Sequence, residues 1–133
     1  MNIAQFENHA AVVKKLANKG QTHIAALSDE ITKHLADHLT IVSTTPHSIT
    51  VSFYGLRVRF RVEIGWTANE TNAQIAAYGL SYDIEPKETL LVAYPFDNMG
   101  NVKSTYLSEE FGAPLLAEVF TLLHQAGTII LRP

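Results

Sequence analysis

Hydrophobic positions along this chain change their period twice. Over residues 2–38 the spacing is helical. Phe6, Ala10, Val13, Ala17, Gly20, Ile24, Leu27, Ile31, His34 and His38 follow alternating steps of four and three, a heptad-like seam on one face. Asn2 carries the side-chain acceptor that an N-cap requires. Unbroken, these residues would make a helix about 55 Å long at roughly 1.5 Å per residue. A compact chain of 133 residues has a diameter of only roughly 36 Å. Either the helix breaks at Asn18-Lys19-Gly20, with Thr22 capping a second helix, or it continues and its small residues Ala10, Ala17 and Gly20 admit a close neighbour.

From residue 39 to about residue 105 the period is two. Ile49, Val51 and Phe53 alternate with Ser48, Thr50, Ser52 and Tyr54; Val58, Phe60, Val62 and Ile64 alternate with Arg57, Arg59, Arg61 and Glu63. Gly55-Leu56 between them predicts a two-residue hairpin with glycine first, a type II′ turn. That register sets Phe53 opposite Val58, Val51 opposite Phe60 and Ile49 opposite Val62, so apolar meets apolar throughout. An earlier strand over 39–44 turns at Pro46-His47. Later strands are expected over 74–83, with Ala76, Tyr78, Leu80 and Tyr82 on one face, and over 89–96, with Leu90, Val92, Tyr94 and Phe96 on one face. A short strand follows at 102–105.

The helical period then returns. Pro114 suits a first-turn position, Leu116, Val119, Phe120 and Leu123 form a stripe, and Gly127 ends it. Residues 128–131 are a short apolar tail suited to an edge strand. The order is a long N-terminal helix, kinked, broken or whole, then five or six antiparallel strands, then a C-terminal helix. This predicts one α+β domain over residues 1–133 with both helices packed on the same sheet face.

Composition narrows the function classes. With 47% hydrophobic and 17% charged residues the chain is an ordinary globular one. It contains no cysteine, which excludes disulfides, thiolate zinc sites and a cysteine nucleophile. The opening residues lack the basic start and apolar block of an export signal, and no stretch reaches the roughly eighteen apolar residues of a membrane span. A soluble cytoplasmic protein is expected. Net charge is -3, but unevenly placed: residues 1–38 are neutral, residues 39–65 carry +2, and residues 66–133 carry -5. A basic ribbon sits inside an acidic molecule.

Catalytic patterns are wanting. The seven glycines are isolated, which leaves no dinucleotide or phosphate loop. Gly79-Leu80-Ser81-Tyr82-Asp83 begins like a nucleophile elbow but falls within a strand. The pairs Asp29-Glu30 and Glu109-Glu110 precede helical segments, where negative charge suits the helix dipole. His34 and His38, four apart on one helical face, could both reach a metal, but spacing specifies no third ligand. No catalytic residue, metal site or cofactor is therefore assigned.

The strongest candidate surface is the strand bearing Arg57, Arg59 and Arg61, which emerge together from the non-core face. The expected register sets Tyr54 opposite Arg57, Ser52 opposite Arg59 and Thr50 opposite Arg61, a cationic ribbon lined by hydroxyls. Ser81 and Asp83 would join it beside Ala77 and Gly79. Guanidinium groups recognise carboxylates and phosphates through paired hydrogen bonds. The plainer account is a solvated face whose arginines pair with Glu63 and Asp83. The expected function is a small non-enzymatic protein-binding module of inhibitor, immunity, adaptor or chaperone type, acting on another protein and forming a homo-oligomer. The binding residues would be Tyr54, Arg57, Arg59, Arg61, Ser52 and Asp83. A small-ligand binder or enzyme on the same face is one alternative, and a nucleic-acid binder is another. The latter is disfavoured by the net acidity.

Overall fold

The computed structural model describes residues 2–66, 71–81 and 87–97. Within them the order is one helix, α1 (Ile3–His34), followed by strands β1 (Thr40–Thr45), β2 (Ser48–Phe53), β3 (Leu56–Trp66), β4 (Thr71–Leu80) and β5 (Glu88–Phe96). The strands form an antiparallel meander in the order β1-β2-β3-β4-β5, which is an α+β architecture. The expected strand at 102–105, the helix over 114–127 and the tail at 128–131 lie outside the described residues. No described helix is long and apolar enough to cross a membrane.

Asn2 caps α1 as its side chain suggests. Its Oδ1 accepts from the Gln5 amide at 2.8 Å, and Gln5 Oε1 accepts from the Asn2 amide at 2.9 Å, a reciprocal capping box. The helix runs unbroken through Gly20. That residue is a point of contact and not a terminus: an added Cβ would stand 2.5 Å from Cγ1 of Val62 on β3. Thr22 caps nothing, and its hydroxyl donates instead to the Asn18 carbonyl one turn back at 3.1 Å.

The buried stripe of α1 is Leu16, Gly20, Ile24, Leu27 and Ile31, continued beyond the helix by Leu35 and Leu39. Its steps of four, four, three and four keep pace with the 3.6-residue turn of a straight helix. The alternating four-three seam read from sequence drifts off this line at both ends. Phe6 is largely exposed at one end, and His34 and His38 are exposed at the other. A helix laid on a sheet, not a coiled coil, follows that rule. The N-terminal turns are met by the far end of β3, where the Trp66 ring lies 5.7 Å from both the Phe6 and the His9 rings.

Helix α1 covers β2, β3 and β4 on one face. The core there is Ile49, Val51, Val58, Phe60 and Ile75, all fully buried, with Ala73, Ala77, Tyr94 and Phe96 around them. Pro46-His47 makes the β1–β2 turn, as the sequence suggests, with Thr45 paired to Ser48. The β2–β3 hairpin differs from its expected register by two residues. Phe53 faces Leu56, Val51 faces Val58 and Ile49 faces Phe60. The turn is Tyr54-Gly55, both with positive φ (48° and 88°), as a type I′ turn requires. A slip of two leaves every side chain on its expected face, so the hydrophobic pattern could not discriminate between the registers.

Strand β4 has the opposite parity for its site-bearing residues. Ala77 faces the core opposite Phe60, whereas Tyr78 shares the outer face with its partner Arg59. Small side chains on the inner face leave room for Phe60 beneath α1. A bulge between β4 and β5 then turns Leu90 outward while Val92, Tyr94 and Phe96 remain inward.

Candidate functional site: the arginine face

The face of the sheet away from α1 carries Arg57, Arg59 and Arg61 in a row along β3. In the observed register they stand opposite Ser52, Thr50 and Ser48, not opposite Tyr54, Ser52 and Thr50. Tyr54 sits in the turn, 65% exposed, with its ring edge-on to Phe53 at 4.9 Å. It therefore does not face Arg57. Asp83 lies outside the described residues. Ser81 has its hydroxyl beside the Lys87 amide at 3.4 Å, on the link into β5. Of the expected site, the structure brings together the arginines and the β2 hydroxyls.

The arginines engage more partners than Glu63 alone. Arg61 donates from Nε and Nη2 to Glu63 Oε2 at 3.2 and 2.8 Å, and its guanidinium lies 4.5 Å above the centre of the Tyr78 ring. Tyr78 donates its hydroxyl to the same Glu63 oxygen at 2.6 Å, and Gln74 donates to the other at 2.9 Å. Arg59 donates from Nε to the hydroxyl of Thr50 at 3.2 Å, a threonine only 3% exposed beneath the arginine stems. From Nη1, Arg59 donates to Glu88 Oε1 at 2.7 Å, and Arg61 reaches Oε2 of the same carboxylate at 3.3 Å. Arg57 is part-buried between Ser52 and Leu80.

The network settles its own protonation. Burial pushes the Glu63 carboxyl up, but the hydrogen bonds from Tyr78, Gln74 and Arg61 outweigh it, and the group lies below the usual carboxylate range. Donation to Glu63, then burial, raises the Tyr78 hydroxyl. The bond to Glu63 likewise raises Arg61. At neutral pH Arg61, Glu63 and Tyr78 are thus charged guanidinium, charged carboxylate and neutral phenol. No member of this trio is poised to exchange a proton near pH 7, which a general acid or base would need. The chemistry offered is fixed hydrogen bonding to oxygen ligands.

Tyr78, Gln74 and Glu88 escaped the sequence reading. Glu63 was legible as a possible partner because it shares the face of its own strand. The other three depend on which strands become neighbours and on the parity of β4. No local signal separates the two alternations of β4, because Ala76 and Ala77 give each of them a small residue to set opposite Phe60.

Other candidates are weaker. His34 ends α1 and His38 lies in the turn beyond it, so one helical face does not present both. Among the described residues no group of three metal-ligating side chains occurs. A groove between α1 and the β1–β2 turn is lined by Gln21, Ala25, Ser28, Thr32, Thr44 and Pro46, with Asp29 at its rim tied to Lys33 at 2.8 Å.

The fold and this face define a small α+β protein with a helix on one side of a meander and a polar network on the other. Comparison with protein families, with curated proteins and with solved structures finds no match for the chain.

Proposed function

We propose that this chain is a non-enzymatic protein-binding module that docks another protein on the arginine face of its sheet and also self-associates. The observation that carries the docking surface is the ordered network. Arg59 and Arg61 are held by Thr50, Glu63, Tyr78 and Glu88 on a face that α1 leaves open. Interfaces favour arginine and tyrosine in such settings because their geometry is set before binding. The two glutamates leave one net positive charge beside the three arginines, which weakens the case for nucleic acid. Self-association is supported by the end of α1, where Ile3 (78% exposed), Phe6 and Trp66 present apolar surface. A cytoplasmic setting and a C-terminal helix over 114–127 on the α1 side of the sheet belong to the same proposal.

The immobilised chain should retain a discrete protein from its native cell extract, and the double variant Arg59→Ala/Arg61→Ala should lose it. Equal retention by that variant would place docking elsewhere. Sedimentation equilibrium tests the second half: Phe6→Ser/Trp66→Ser should shift a wild-type dimer to monomer, and a wild-type chain monomeric at every concentration removes self-association.

A further inference from the structure

We infer that Arg59 and Arg61 form a carboxylate-binding site that Glu88 occupies in cis, and that an acidic segment of a partner protein takes its place. The inference rests on the docking reading above and names the ligand chemistry of that face. Three observations carry it. First, one carboxylate bridges two guanidiniums, each oxygen to a different arginine, at 2.7 and 3.3 Å. Second, each arginine has its own anchor apart from Glu88: Arg59 through Nε on Thr50, Arg61 through Nε and Nη2 on Glu63 and through the Tyr78 ring. Removing Glu88 therefore leaves both Nη1 groups in place and aimed at one vacated spot. Third, the bridge is accessible. The arginine side chains are each 37% exposed and Glu88 32%, and Glu88 is the first residue of β5, the outermost strand on that side among the described residues.

The energetics suit exchange. A half-exposed ion pair contributes little net stability, because water solvates the separated charges nearly as well. An incoming carboxylate needs only a modest advantage, which neighbouring contacts of a protein segment supply. Glu63 is a poor candidate for displacement. It accepts from three different side chains and is more enclosed, at 28% exposure. The two glutamates thus divide the work: Glu63 fixes Arg61, and Glu88 holds the ligand position.

The test uses a short polyglutamate peptide and a single-stranded oligonucleotide of equal charge, with binding followed by calorimetry at low salt. Glu88→Gln should bind the peptide about three- to tenfold more tightly than wild type, the factor expected from removing a weak internal competitor. Glu88→Ala, which removes the acceptor altogether, should gain at least as much. Adding Arg59→Gln and Arg61→Gln to either variant should abolish the gain. Equal peptide affinity in wild type and both Glu88 variants overturns the inference, as does a gain for the oligonucleotide that matches or exceeds the gain for the peptide. If the arginine double variant loses the captured partner while the Glu88 variants leave peptide binding unchanged, the docking face stands and only the in-cis ligand fails. If the arginine double variant retains the partner, the docking face fails as well.

Discussion

The two faces of the sheet are built from alternate residues of the same strands, yet they are held by different physics. Toward α1, Ile49, Val51, Val58, Phe60 and Ile75 are wholly buried, and the contacts are non-directional. On the far face, Arg59, Arg61, Glu63, Gln74, Tyr78 and Glu88 are joined by directed hydrogen bonds in a half-open setting. Burial on the first face scales with area and volume and is felt at every methylene. The second face contributes little per pair, because solvent competes for each bond. One face carries the stability, and the other is arranged through directed polar contacts.

The largest departure should come from the centre of the buried face. Phe60 is fully enclosed, lies between Ile49 and Ala77 across its neighbours and has no polar partner to lose. Phe60→Ala should cost about 3–5 kcal/mol, enough to unfold a marginal domain. Urea denaturation measures it. A loss below about 1 kcal/mol would mean that the helix does not seal this face.

A finer probe of the same face is Gly20. Helix propensity alone favours Gly20→Ala by roughly 1 kcal/mol. The new Cβ, however, would meet Val62 at 2.5 Å from Cγ1 and 2.7 Å from Cγ2, and a β-branched side chain cannot swing clear. Overpacking of this kind costs about 1–3 kcal/mol, so the net change should be a destabilisation of about 1 kcal/mol. Combining Gly20→Ala with Val62→Ala should cost less than the two separately. A stabilised Gly20→Ala would show that helix and strand do not approach so closely.

These contacts also explain what could and could not be read from the residues. Face assignment along β2 and β3 was legible, because alternation survives a slip of two. Register was not, since Val51 finds an apolar partner in either Phe60 or Val58. The turn decides it, and it does so through Tyr54 at φ 48°, a conformation that an aromatic residue seldom adopts. The seam phase preserved across Gly20 favours a continuous helix over a terminus there, and Val62 across the gap shows the close contact that the glycine admits. The arginines and Glu63 were visible together on one strand. Tyr78 is not legible as their neighbour, because both alternations of β4 contain apolar residues. Glu88 joins them from two strands away, a relation no local pattern encodes.

The smallest effect, and the one that most directly probes the polar face, is the removal of the Glu63 charge. Glu63→Gln keeps an oxygen for Tyr78 but loses the charge that Arg61 binds, and it should cost about 0.5–1 kcal/mol near pH 7. The sign of its pH dependence follows from the carboxyl lying below its ordinary range in the folded chain. Such a group stabilises the fold fully above its unfolded value. The stabilisation is lost as pH falls through the folded value, because the unfolded chain binds the proton first. The stability gap between wild type and Glu63→Gln should therefore be full near neutrality and close progressively below about pH 4. Urea midpoints for both proteins across that range measure the gap. A gap that stays constant into acid would mean the wild-type carboxylate gains nothing from Tyr78, Gln74 and Arg61. The polar face would then be a set of solvated neighbours and not a network.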